Sequence, residues 1–147
     1  MRANNFTVHD SIYIVTGGHE LDLHNWYAFR SLKYDIPTQV LQLSWIRTEA
    51  DWNRKDVPRK LILTFEQVIS LELHPREPAT PFSEDDCLAN IGHLSNAIGV
   101  EGVFTCDKIP DDEWKWVFEF MSGMQIIVQA KTVEANTEPD QDRDSPR

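Results

Sequence analysis

The amino-acid sequence predicts a mainly β protein, built as an antiparallel β-sandwich or an open β-barrel, with one short helix in a crossover connection. Three observations lead to this fold class. Apolar residues alternate with polar ones in several segments, glycine turns separate some of these segments, and a single segment carries helix signals. Because so short a helix cannot cover a sheet, the second layer is expected to be more sheet.

The first predicted hairpin joins SIYIV (residues 11–15) to ELDLHNWYAF (residues 20–29) through TGGH. Glycine favours such turns because it adopts positive φ without steric cost. The next alternating segments are VLQLSW (residues 40–45) and KLILTFEQVISLEL (residues 60–73). In the longer one, apolar residues occupy the odd positions except at Gln67. That interruption predicts a bulge or bend in a long strand.

The predicted helix lies in PFSEDDCLANIG (residues 81–92). Ser83 is suited to be its N-cap, the acids after Ser83 suit the positive end of the helix dipole, and Gly92 is suited to end it. Cys87, Leu88 and Ile91 would form the buried stripe. A last hairpin is predicted from EWKWVFEF (residues 113–120) and MQIIVQAK (residues 124–131), which flank Ser122 and Gly123.

Length and composition predict one globular domain over residues 1–132 and an acidic disordered tail over residues 133–147. The tail, VEANTEPDQDRDSPR, has five acidic residues against two arginines and no large apolar residue besides Val133. Apolar runs are too short for a membrane span or a secretory signal, so we expect a cytoplasmic protein that does not engage membranes. Cys87 and Cys106 are then expected to be free, reduced thiols.

The net charge of −10 bears on the kind of partner. Binding to nucleic-acid phosphates requires clustered lysines and arginines, so an acidic chain is not expected to bind nucleic acid. A basic protein partner would instead be attracted over long range.

The segment GGHELDLHNW raises the question of a metal site. His19 and His24 are five residues apart, which corresponds to about 140° around a helix and fails the helical zinc spacing. On a strand, Glu20, Asp22 and His24 share a face but span about 13 Å, too far to reach one ion without a bend. We therefore expect a solvated strand face and no metal.

Two charged segments are the candidate partner-binding surfaces. RTEADWNRKDVPRK (residues 47–60) is locally basic and holds a tryptophan without apolar neighbours, and Trp and Arg are frequent in interaction hot spots. The alternative is that Trp52 folds back over the end of the sheet. An acidic triplet at residues 111–113 suits a basic partner. The candidates are Arg47, Trp52, Arg54, Lys55, Arg59, Asp111, Asp112 and Glu113.

No catalytic residue and no cofactor are predicted. Cys87 and His93 are six residues apart, and Cys87 would lie on an apolar stripe, where a thiol is inert. The chain has no GxSxG, P-loop or GxGxxG motif.

The segments LILTFEQVISLEL, PFSEDDCLANIG and WKWVFEFMSGMQIIVQA, in this order, resemble small uncharacterised bacterial proteins, some of them grouped with immunity proteins of toxin systems. The resemblance covers residues 29–133 and implies a non-enzymatic protein that binds and neutralises one cognate toxin. It carries over no functional residues, since the shared positions are structural. The matching residues are Leu63, Phe65, Val68, Leu71, Leu73, Trp116, Phe118, Phe120, Gly123 and Ile126.

The leading hypothesis is therefore an immunity-type protein-binding module. The alternative is a small-ligand-binding β-fold whose aromatic residues line a pocket. An enzyme is the third hypothesis. The aromatic residues of the alternative are Trp26, Tyr27, Trp45, Trp114 and Trp116.

Overall fold

The computed structural model describes residues 2–3, 5–49, 56–94 and 115–139, and for residues 2–3 the backbone only. This part of the chain is mainly β, as predicted. The elements are β1 (Arg2–Ala3), β2 (Thr7–His9), β3 (Tyr13–Thr16), β4 (His19–Asp22), β5 (Tyr27–Asp35), β6 (Val40–Arg47), β7 (Lys60–His74), a 3-10 helix (Phe82–Asp86), β8 (Leu88–Leu94), β9 (Lys115–Phe120) and β10 (Gln125–Glu138).

The main sheet has the strand order β5-β6-β7-β10-β9-β8 and curls into a half-barrel. Neighbouring strands along this path are antiparallel, and β1 adds a short parallel pairing to β10. The sheet therefore consists of two meanders, β5-β6-β7 and β8-β9-β10, joined by the pairing of β7 with β10. The last predicted hairpin is confirmed as β9 and β10, with Gly123 at φ +85° in the turn.

A second sheet contains β2, β3 and β4. Its β3–β4 hairpin turns at Gly17 and Gly18, which have φ of +58° and +79°, and confirms the first predicted hairpin. The predicted second strand of that hairpin is nevertheless divided, since a turn separates β4 from β5. The carboxylate of Asp22 accepts hydrogen bonds from the backbone N–H groups of His24 and Asn25, which holds the chain in that turn.

Backbone and side-chain contacts attach the small sheet to the main one. The N–H of Ile91 in β8 donates to the carbonyl of Ser11 at 2.6 Å. The side chain of Asn5 donates to the carbonyl of Ala135 and accepts from its N–H, at 2.7 and 2.8 Å. Apolar residues of both sheets form one buried cluster. The small sheet contributes Ile14 and Leu21 to it, and the residues that flank this sheet contribute Phe6 and Leu23.

Aromatic rings occupy the centre of this core. The ring of Phe118 lies 5.9 Å from Trp45, 6.1 Å from Phe65 and 6.3 Å from Trp116, between ring centroids. The ring centroid of Trp116 also lies 5.6 Å from that of Phe6, the residue just before β2 of the small sheet. Offset and tilted pairs at these separations add to the free energy of burial. These five rings are buried, so they stabilise the contact between the two sheets.

The interruption predicted at Gln67 is confirmed. Gln67 has φ +53°, and the register with β10 shifts a few residues later. Leu61, Leu63 and Phe65 are buried before the interruption, and Val68 is buried after it. The apolar face predicted from the odd positions therefore does not continue unchanged along β7.

The predicted helix is not confirmed. Residues 82–86 form only a 3-10 helix without a side-chain cap, and Cys87 is already extended, with φ −99° and ψ +112°. Leu88 and Ile91 are then buried from β8, which pairs with β9 along its length. A helix of two turns is marginal in isolation, so pairing with the neighbouring strand overrides the local helix signals.

The predicted boundary after residue 132 is wrong for residues 133–138, because β10 continues to Glu138 and pairs with β7. Val133 and Ala135 are buried. Residues 140–147 of the predicted tail lie outside the described residues. Within the described ranges, no helix is long and apolar enough to cross a membrane.

Candidate functional site

The ends of the predicted binding segment are attached to the main sheet. Arg47 ends β6; its backbone N–H donates to the carbonyl of Arg59 at 2.7 Å, and its Nη1 donates to the carbonyl of Val57 at 2.6 Å. The hydroxyl of Tyr27 on β5 donates to the carbonyl of Pro58 at 2.5 Å. Residues 57–59 are thus held by two strands immediately before β7 begins.

The other end of the segment is fixed in the same region. The N–H of Thr48 donates to the carbonyl of Trp26 at 2.8 Å. Val57 is 4% exposed and belongs to the hydrophobic core. By contrast, the charged residues Glu49, Asp56 and Arg59 are exposed. The sheet therefore provides a fixed base that presents charged residues to solvent, and we call residues 47–49 and 56–60 the loop base.

Two of the eight predicted partner-binding residues lie in the described part of the chain. Arg59 is exposed, whereas Arg47 is half-buried and contributes to the structure of the loop base. The other six lie outside the described residues. They are Trp52, Arg54, Lys55, Asp111, Asp112 and Glu113.

Among the described residues, which include the histidines and acids of residues 19–24, no group of three potential metal ligands occurs. Asp22 is buried and holds the turn between β4 and β5. Nδ1 of His24 lies 2.6 Å from the carbonyl oxygen of Leu88. The side chain of His24 therefore connects the turn after β4 to β8.

The structure brings together a cysteine and a histidine that the sequence did not pair. The Sγ of Cys87 lies 3.7 Å from Nδ1 of His24, whereas the sequence suggested His93 as the histidine to consider. The carbonyl of Leu88 can only accept, so Nδ1 of His24 carries the hydrogen and cannot take the thiol proton. Burial, followed by the charges of nearby acids, raises the pKa of the Cys87 thiol. The pair is therefore not arranged as an activated nucleophile.

Polar ring atoms without hydrogen-bond partners lie within the aromatic core. Nε1 of Trp45, Nε1 of Trp116 and Nδ1 of His93 are buried, and within the described residues none has a partner. His93 faces Trp116 across the β8–β9 pairing, with ring centroids 4.2 Å apart. Burial is the main cause that lowers the pKa of His93 to about 4. Leaving such groups unpaired costs free energy, so this region is a second candidate site.

The protein is therefore a mainly β protein in which a small sheet packs against a half-barrel. Its two candidate sites are the loop base and the aromatic region around His93. The chain matches no family model, no curated protein and no solved structure in the comparisons made with each.

Proposed function

We propose that the protein is a non-enzymatic protein-binding module, of the kind in which an immunity protein inhibits a cognate toxin. The observation that supports this proposal is the loop base. Binding residues are often carried by loops that a rigid scaffold holds in position. Here two strands hold both ends of the segment that contains Trp52 and Arg54.

Charge supports a basic partner. The chain has a net charge of −10, which attracts a positively charged protein over long range and increases the rate of encounter. Arg59, together with Arg54 and Lys55, would then serve local recognition. Association with the partner should become slower as salt is added.

The proposal is tested with a Trp52→Ala, Arg54→Ala double variant. We expect the parent chain to capture one basic protein from a lysate of cells that encode it, and to protect cells that co-express that protein when it is toxic. With the purified pair, titration calorimetry should give a 1:1 complex, and the double variant should bind at least tenfold more weakly because hot-spot residues dominate affinity.

The matched control is a Phe82→Ala, Lys131→Ala double variant. It also removes one aromatic and one basic side chain, and both of these are exposed on other parts of the surface. It should bind as the parent does. Capture of no specific protein at low salt, or equal binding by both double variants, would contradict the proposal.

A second candidate function is the binding of a small apolar ligand. It is favoured by ring nitrogens of Trp45, Trp116 and His93 in the aromatic core, which have no hydrogen-bond partner among the residues that the structure describes. A ligand with an acceptor oxygen would satisfy the indole N–H groups, which only donate.

This second candidate predicts that solvent extraction of the purified protein releases about one apolar molecule per chain, identified by mass spectrometry. Trp116→Phe keeps a ring in the core but removes one N–H group, so it should retain less ligand. An extract without any such molecule from the folded parent chain rejects this function.

A further inference from the structure

Consecutive backbone carbonyls just before β7 accept hydrogen bonds from the two neighbouring strands. The carbonyl of Val57 accepts from Nη1 of Arg47 at 2.6 Å, and the carbonyl of Pro58 accepts from the hydroxyl of Tyr27 at 2.5 Å. The carbonyl of Arg59 accepts from the backbone N–H of Arg47 at 2.7 Å. A backbone donor therefore holds Arg59, whereas side-chain donors hold Val57 and Pro58.

The positions of Tyr27 and Arg47 follow from the pairing of β5 with β6. These two residues lie directly opposite each other in that pairing. Opposite residues of an antiparallel pair project from the same face, so both side chains can reach the same segment. The regular pairing of β6 with β7 begins only at Lys60. The two side chains thus supply donors to residues that the ladder does not reach.

The segment that precedes these carbonyls is also held at its other end. The N–H and the hydroxyl of Thr48 both donate to the carbonyl of Trp26, at 2.8 and 3.3 Å. At the second end, Val57 is 4% exposed and packs in the core. Residues 49–56, which include Trp52 of the proposed contact, therefore begin and end at fixed points.

The hydroxyl of Tyr27 is placed to hold this segment and not to touch a partner. Tyr27 is 2% exposed, so its side chain offers almost no surface to another protein. Its hydroxyl donates to the carbonyl of Pro58, which has no such donor when the hydroxyl is removed. Any change in binding that follows the loss of this hydroxyl must therefore act through the segment that it holds.

We propose that Tyr27 is a positioning residue for protein binding, whose hydroxyl fixes the end of the binding segment through the carbonyl of Pro58 before a partner arrives. The inference rests on the function proposed above for residues 47–60. Association costs free energy because loops and side chains at the interface must become ordered. A segment whose ends are already held in the unbound protein loses less freedom on binding, so its affinity is higher.

Tyr27→Phe tests this role because it removes the hydroxyl and keeps the buried ring. With the purified partner, titration calorimetry should show binding weakened by about three- to tenfold, the range expected when one hydrogen bond is lost. Tyr34→Phe is the matched control. Tyr34 is 37% exposed near the other end of β5, and its variant should bind as the parent does.

A cycle with the Trp52→Ala, Arg54→Ala double variant separates positioning from a general effect on the fold. In that background, Tyr27→Phe should weaken binding by less than about twofold, because the contacts that it positions are already absent. An effect through the whole fold would weaken binding equally in both backgrounds. Ile126→Val reduces a buried side chain on β10, away from the loop base, and should lower stability without changing affinity.

Amide hydrogen exchange tests the same contact without any partner. The N–H groups of Arg47 and Thr48 are hydrogen-bonded at the loop base. In Tyr27→Phe they should exchange at least about tenfold faster than in the parent, because release of the segment opens these bonds locally. In Tyr34→Phe their exchange should match that of the parent.

Three results would overturn this inference and leave the proposed function standing. They are equal affinity of the parent and Tyr27→Phe for the partner, an equal loss of affinity in both backgrounds of the cycle, and unchanged exchange of the Arg47 and Thr48 amides. Capture of no partner by the parent would instead contradict the proposed function, and the inference would fall with it.

Discussion

Replacing Phe118 with alanine is expected to lower the free energy of unfolding by about 3–5 kcal/mol. The ring is fully buried on β9 and contacts Trp45, Phe65 and Trp116. Removing it leaves a cavity at the centre of the aromatic core, and rings held on three different strands cannot easily move to fill it. Urea unfolding followed by tryptophan fluorescence measures the loss.

Phe82→Ala is the matched control for this experiment. Phe82 is 81% exposed, and its described ring contact is with the guanidinium of Arg76 at 4.3 Å. The control should lose no more than about 1 kcal/mol, since an exposed cation–π contact contributes about that much. A similar small loss for Phe118→Ala would show that the aromatic core does not carry the stability of the fold.

Acidification is expected to destabilise the protein through His93. Burial lowers the pKa of His93 to about 4 in the folded chain, whereas the ordinary value for histidine is 6.5. Between these two values, the unfolded chain binds more protons than the folded chain does. The free energy of unfolding therefore decreases as pH falls from about 6.5 toward about 4, and at pH 4.5 the loss from this residue is about 2–3 kcal/mol.

The measurement compares the parent with His93→Phe in urea at pH 7 and at pH 4.5. Phenylalanine keeps a ring against Trp116 and removes the titrating group, so the variant should lose less stability on acidification by about 2–3 kcal/mol. The carboxylates titrate in both proteins, so their contributions cancel when the two losses of unfolding free energy are compared. His9→Phe, at an exposed histidine, is the control and should keep the acid sensitivity of the parent. Equal acid sensitivity in parent and His93→Phe would exclude His93 as the cause.

The alternation of apolar and polar residues predicted the strands that bury one face. These are the long strand β7 and the hairpin of β9 and β10. The interruption at Gln67 could be predicted because a polar residue replaces an apolar one in the series. The turn at Gly123 was visible as a glycine between two alternating runs. These signals are local, so they survive in the sequence without knowledge of the partner strands.

The errors occurred where distant pairing decided the structure. Residues 88–92 belong to the predicted helix segment but pair with β9, and residues 133–138 are mostly polar but pair with β7. Alternation of Val133 with Ala135 was a weak signal for the end of β10. The contact of Cys87 with His24 joins residues 63 positions apart, and no spacing within a motif could indicate it. The anchoring of Arg47 at the loop base likewise depends on the fold and not on residue type.

The attachment of Asn5 to Ala135 has a consequence for the order of events during synthesis. These residues are 130 positions apart, so their hydrogen bonds can form only after nearly the whole domain has been synthesised. Likewise, β7 cannot pair with β10 until some 50 further residues have been synthesised. While the ribosome is still making β10, β7 has no neighbour on that side, and the apolar residues of both meanders stay uncovered. Closure of such long loops is slow. The nascent chain is therefore expected to depend on chaperones until Ala135 has left the exit tunnel, because unpaired strand edges favour aggregation.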